Sequence, residues 1–141
     1  MKVKRIEHIA IAVKSMARMR EVMEEKLGLS LEYEEHLPQY HTRLAMYPIG
    51  QTYLELLEAD SPESETAEWI ATRGEGLFHI CLEVDHIEDA LAELKQKGVA
   101  LIDEKPRTGH ANSRIAFLDP KSNGNVLIEL VELPSPRLKC A

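Results

Sequence analysis

The chain has 141 residues, 44% of them hydrophobic, and a formal charge of -7, which is enough apolar material for one compact core and too acidic for docking on nucleic acid or an anionic membrane. No apolar run is long enough to cross a bilayer, and the N-terminal residues enter a strand pattern with no cleavage signal, so the expected compartment is the cytoplasm and the expected partner a small molecule. The 2 cysteines, Cys81 in a strand pattern and Cys140 in the tail, lack metal-type spacing and suit a reducing compartment.

Residues 6–13 alternate, with Ile9, Ile11 and Val13 on one face and His8, Ala10 and Ala12 on the other. Met16, Met19, Met23 and Leu27 then recur at helical spacing, with Ser15 placed to cap the helix and Gly28 to stop it. Strands are expected at 30–36, 42–47 and 52–57, the last two joined by a turn over 48–51 that contains Gly50. Segment 61–75 has the Ser, Pro, Gly and acidic content of a connector, while Thr66, Trp69 and Ile70 predict a short helix inside it. A strand over 77–84 follows, then Asp85 as a helix cap with Glu88 three residues on, and Ile87, Ala90, Leu91 and Leu94 on one helix face up to Gly98. Short strands are expected near 99–102, 113–118 and 125–132, separated by the turn-forming segments EKPRTGHAN and DPKSNGN. The end is a Pro-broken tail.

The second half restates the first. RIEHIAIAVKSMARMREVMEEKLG (5–28) and GLFHICLEVDHIEDALAELKQKG (76–98) each read as a strand opening on His, a turn, an amphipathic helix and a closing Gly. His8 precedes Val13 by 5 residues and His79 precedes Val84 by 5; LELLE and IELVE then place Glu55 47 residues after His8 and Glu129 50 residues after His79. A repeat of this kind means one duplicated unit. The expected architecture is α+β, a single domain over 1–141 made of two βαβββ modules, 4–60 and 76–133, with a connector at 61–75 and a tail at 134–141.

Strand parity puts His79 on the face opposite Ile80, Leu82 and Val84. If those three meet the helix, His79 faces away from it, and repeat equivalence sends His8, Glu55 and Glu129 the same way. Buried carboxylates need a partner, because desolvating one alone costs several kcal/mol. Two His and two Glu suit a divalent ion such as Co, Zn, Ni or Mn, with room for water or substrate oxygens. Glu83, on the His79 face, is the rival ligand; Glu58 and Glu132 match each other but are expected to be solvated at strand ends.

These residues and their surroundings resemble the vicinal oxygen chelate superfamily (glyoxalase, bleomycin resistance and dioxygenase proteins), and within it the methylmalonyl-CoA epimerases most closely. The likeness spans nearly the whole chain and is most specific in RGEGLFHICLEVD and DPKSNGNVLIEL. It implies a cupped mixed sheet around a metal held by His8, Glu55, His79 and Glu129, an acyl-CoA substrate, a homodimer, and epimerisation through a metal-stabilised enolate. Glu129 is the first candidate for the base and Glu55 the symmetric one. The run PQYHT departs from the family's pattern, and no acid lies between Gln39 and Tyr47, where some members carry a second catalytic carboxylate; His41 is the nearest acid-base group. Lys105, Arg107, Arg114 and Lys121 are candidates for the CoA phosphates. The ligand types also suit a glyoxalase I-type lyase acting on a glutathione hemithioacetal, or an iron dioxygenase, although those enzymes are usually longer. A non-catalytic small-molecule-binding or resistance protein of the same fold is the reading from another class, and four intact ligand candidates disfavour it.

Overall fold

The computed structural model describes residues 1–134. The first βαβββ set is β1 (Val3–Ala12), α1 (Met16–Glu21), β2 (Tyr33–Leu37), β3 (Thr42–Ile49) and β4 (Thr52–Ala59). After α2 (Glu65–Arg73), the second set is β5 (Gly76–Val84), α3 (Ile87–Gln96), β6 (Arg107–Thr108), β7 (Arg114–Leu118) and β8 (Ile128–Glu132). The fold is α+β, as the repeat implies. The chain divides into two compact units, Arg5–Cys81 and Leu82 onward together with Met1–Lys4.

In the Arg5–Cys81 unit the strands follow the order β2-β3-β4-β1-β5, antiparallel from β2 to β4 and parallel between β4 and β1. The β3–β4 hairpin closes at Ile49 opposite Thr52, a two-residue loop whose Gly50 takes a φ of 59°, the left-handed region such loops need. In the other unit β8 pairs with β7 and β7 with β6, both antiparallel. Each unit packs one sheet face against its helix. Val13, Met16, Met23, Ala45, Tyr47 and Leu56 form the core of the first, and Val84, Ile87, Ala90, Leu91, Ala116, Leu118 and Leu130 that of the second. Each such side chain, once buried, contributes roughly 1.5–3 kcal/mol if it is a large aliphatic or Met.

Four expectations are corrected here. The stripe on α1 ends one residue early: beyond Glu21 the helix widens into a π turn over Val22–Lys26, and the extra residue per turn rotates Leu27 into solvent, 59% exposed, whereas Met16 and Met23 stay buried. The cap residue of α3 is His86, and Asp85 instead accepts the His86 N–H at 2.9 Å. Glu58 and Glu132 are not merely solvated. Glu58 accepts the Met16 N–H at 2.7 Å and Glu132 the Ile87 N–H at 3.0 Å, so each satisfies a first-turn donor of its module's helix with a negative charge at the favourable end. The segment read as pure turn, EKPRTGHAN, contains β6, while the expected strand at 99–102 reduces to one bridge, Leu101 to Leu118. The tail beyond 134, with Cys140, lies outside the described residues. Among the described residues no helix is long and apolar enough to cross a membrane.

Candidate metal centre

Register decides which side chains share a face in the Arg5–Cys81 unit. Ala10 stands opposite Glu55 and His8 opposite Tyr53 across the parallel pair, while Met46 stands opposite Glu55 and Tyr33 opposite Met46 across the antiparallel ones. Side chains directly opposite one another leave the sheet on the same side. His8, Glu55, Leu44, Met46, Tyr33 and Glu35 therefore lie on one face, and Ala45, Tyr47 and Leu56 lie on the other, against α1.

Three of the four expected ligands come together on that face. His8 Nε2 lies 3.2 Å from His79 Nε2 and 3.3 Å from Glu55 Oε1, and His79 Nε2 lies 3.9 Å from Glu55 Oε1. All three residues are buried, at 1%, 6% and 3% exposure. Ligands about 2.1 Å from a common ion stand about 3.0 Å apart at octahedral right angles and about 3.4 Å apart at tetrahedral ones. Two of the separations fall in that range and the third is only somewhat wider. The donor set, two imidazoles and a carboxylate, is that of a divalent transition metal, and the group could hold one.

Glu7, which periodicity places on the opposite face from His8, is the residue that sequence reasoning missed. Its carboxylate Oε1 lies 2.5 Å from His8 Nδ1, and both side chains are buried. A carboxylate there accepts a hydrogen bond from Nδ1–H, which keeps the proton on Nδ1 and leaves the lone pair on Nε2, the atom that faces Glu55 and His79. The usable signal was an acid directly before a candidate ligand His. Glu7, His8 and Cys81 also form a possible ligand group, with Cys81 fully buried; the proton held on Nδ1 favours the set with Glu55 and His79 instead.

His79 is supported differently. Its ring meets Phe78 edge-on at 4.8 Å between centroids, Phe78 meets Trp69 of α2 at 4.9 Å, and the Arg73 guanidinium lies 4.1 Å over the Trp69 ring. The connector helix thus ends a stack that holds a candidate ligand.

The remaining candidates lie elsewhere. His41 follows a 3-10 turn at φ 51° and is 43% exposed at its side chain, with Nε2 3.3 Å from Glu63 and Nδ1 3.9 Å from Asp60. It is not part of the cluster. Glu129 belongs to the other unit, where it is 3% exposed in β8 opposite Phe117. Glu83 of that unit lies 3.9 Å from the Lys4 ammonium. Of the proposed CoA-binding cations, Arg107 shares the Glu129 face and lies 5.3 Å over Phe117. Arg114 points to the opposite face, donating to Glu88 at 2.7 Å, and Lys121 lies 3.9 Å from Asp119.

The tyrosines of the ligand face are strongly perturbed. Burial, reinforced by the charges of Glu7, Glu55 and Glu35, pushes the Tyr33 phenol well above the usual range. Tyr53 donates to Glu32 at 2.7 Å, and that bond together with burial pushes it up to about 12.

The chain belongs to the glyoxalase/bleomycin resistance protein/dioxygenase superfamily, whose family model matches residues 7–117. It is 34% identical over 91% of its length, and 91% of the relative's, to an uncharacterised protein of Bacillus subtilis, YqjC. It is 32% identical to the mitochondrial methylmalonyl-CoA epimerase of Homo sapiens, over 89% of this chain and 72% of that one. Among solved structures, a Streptomyces coelicolor methylmalonyl-CoA epimerase variant in complex with 2-nitronate-propionyl-CoA superposes with a TM-score of 0.90 at 33% identity, covering 95% of this chain and 97% of that one. The glyoxalase-like fold that the resemblance implies is the fold observed.

Proposed function

We propose that the protein is a metal-dependent epimerase that interconverts the stereoisomers of methylmalonyl-CoA. The observation that carries this reading is the buried His8, Glu55, His79 cluster, in a chain whose relatives include methylmalonyl-CoA epimerases. The chemical difficulty is the weak acidity of the proton on the carbon between the thioester and the carboxylate. A divalent ion held by His8, His79 and Glu55 would supply Lewis-acid stabilisation of the enolate oxygen.

The chain's own residues do the rest. Glu7 keeps His8 in the tautomer whose Nε2 can act as a ligand, and the stack from Phe78 through Trp69 keeps the His79 ring in place. Glu129 is assigned as ligand and proton carrier on its repeat equivalence to Glu55 and its burial in β8; a carboxylate is the right type, since it can take a proton from carbon and return it near neutral pH. Glu55 is the alternative carrier by the same equivalence.

The test is proton exchange. Metal-stripped and cobalt-loaded protein are incubated with methylmalonyl-CoA in deuterated water and the α-proton signal is followed by NMR. The expected result is exchange in the loaded protein only, abolished in Glu129→Ala. Intact cobalt binding without exchange would overturn the substrate assignment and make the glutathione hemithioacetal of methylglyoxal the next compound to test.

A further inference from the structure

We infer that Glu7, His8 and Cys81 form a second metal site, one for a thiophilic ion such as Zn2+ or Cd2+, and that its occupancy excludes an ion from the His8, Glu55, His79 cluster. The exclusion rests on the metal reading of that cluster, and nothing here rests on the substrate. A buried cysteine by itself is a small apolar side chain. What makes Cys81 a candidate ligand is its company. Its sulfur lies within 4.8 Å of a ligand atom of Glu7 and one of His8, and Cys81, Glu7 and His8 are 0%, 3% and 1% exposed. All three belong to the Arg5–Cys81 unit.

The donor set differs from that of the first cluster in softness and in charge. A zinc-sized ion holds thiolate sulfur at about 2.3 Å and imidazole nitrogen or carboxylate oxygen at about 2.1 Å, so bound donors stand about 3.5 Å apart. Small rotations of the Cys81 and Glu7 side chains close the set to that size. Thiolate selects such ions over those that prefer oxygen and nitrogen. One thiolate and one carboxylate also balance the charge of a divalent ion, with the imidazole neutral. A neutral assembly is the one a site this buried holds at least cost. The Glu55 set has a single carboxylate and leaves a divalent ion with net positive charge.

His8 links the two sets. Its Nδ1 lies 2.5 Å from Glu7 Oε1, and its Nε2 faces His79 and Glu55. A neutral imidazole has one proton and one lone pair to place on its two nitrogens. With the proton on Nδ1, the lone pair serves the Glu55 set. When a thiophilic ion takes Nδ1, the ring proton passes to Nε2, where Glu55 Oε1 at 3.3 Å accepts it. The Cys81 S–H bond breaks as the metal–sulfur bond forms, and that proton goes to solvent. Nε2 is then a hydrogen-bond donor and has no lone pair for a second ion.

The test uses metal-stripped full-length protein carrying Cys140→Ser, which leaves Cys81 as its one thiol. Cd2+ is titrated in, and the ultraviolet thiolate-to-cadmium charge-transfer band is followed, with circular dichroism as the control for folding. One equivalent should develop the band, and Cys81→Ser should abolish it. Glu7→Gln should weaken Cd2+ at least about tenfold, since a direct ligand is worth no less than a supporting group. His79→Ala should keep the band, because the thiol set does not use that ring. Co2+ bound beforehand should raise the Cd2+ needed for half the band at least about tenfold, and Cd2+ should weaken Co2+ by the same factor, as linkage requires. No band in the folded protein, or a band that survives Cys81→Ser, would overturn the site. Independent binding of both ions would overturn the exclusion. A cadmium band in protein that binds no Co2+ would overturn the metal reading of the Glu55 cluster and leave the thiol site standing.

Discussion

The two modules place equivalent residues at equivalent strand positions and then secure them by different physics. Glu7 and Phe78 both precede the strand His. In the first module the neighbour is a buried carboxylate 2.5 Å from His8 Nδ1; in the second it is an aromatic ring edge-on to His79, backed by Trp69. His8 gains a charge-assisted hydrogen bond at Nδ1, whereas His79, which also approaches His8 Nε2, gains an aromatic contact. The two halves therefore keep a His at the matching strand position, while the residue before it differs.

That contrast can be broken by substitution. Phe78→Ala removes a buried ring and should cost about 3 kcal/mol of stability, read as a lower thermal or urea midpoint, with metal affinity in the folded protein changed less than tenfold. Glu7→Gln should do the reverse, weakening metal binding ten- to a hundredfold, as loss of a ligand's supporting carboxylate does, while the midpoint of the metal-stripped protein moves by less than about 1 kcal/mol. If both variants lose stability and neither loses affinity, Glu7 is packing and the contrast fails.

The helix caps are where the modules should behave alike. Glu58→Ala and Glu132→Ala each remove a carboxylate from a first-turn N–H, and each should cost about 1 kcal/mol. Midpoints that differ by more than twofold in free energy would show that the repeat no longer shares its capping device.

The smallest effect concerns pH, and it singles out the Arg5–Cys81 unit. Tyr33, Tyr47 and Tyr53 all lie there. Tyr33 is raised by burial and nearby carboxylates, Tyr47 to about 12 by burial and its bond to Glu24, and Tyr53 to about 12 by its bond to Glu32 and burial. These groups are neutral acids whose folded values exceed the unfolded one near 10. Their contribution is complete below pH 10 and is lost as pH rises toward 12. Phenolate absorbance should therefore show Tyr33, Tyr47 and Tyr53 titrating late in the folded protein. All three ionising near pH 10 would contradict it.

What the sequence made legible was what the repeat made redundant. His8, Glu55 and His79 stood out because each has a counterpart at matching spacing, and single residues of those types would have carried little weight. The α+β fold class followed from the same repeat, and the connector helix from Thr66, Trp69 and Ile70. Glu7 escaped because alternation assigns neighbours to opposite faces and says nothing of a carboxylate that reaches the adjacent ring. Leu27 was misplaced because a π turn leaves no mark in a 3.6-residue pattern. Glu58 and Glu132 looked solvated because their partners are backbone N–H groups more than forty residues away in sequence. β6 was hidden in a segment whose Pro and Gly signal turns, where two residues still pair with β7.

The central claim is that His8, Glu55 and His79 bind a divalent ion, and titrating metal-stripped protein with Co2+ by calorimetry tests it most directly. The account predicts one tight equivalent, weakened at least a hundredfold in both His79→Ala and Glu55→Gln while circular dichroism stays that of the wild type. Absence of stoichiometric binding, or binding that neither substitution weakens, would contradict it.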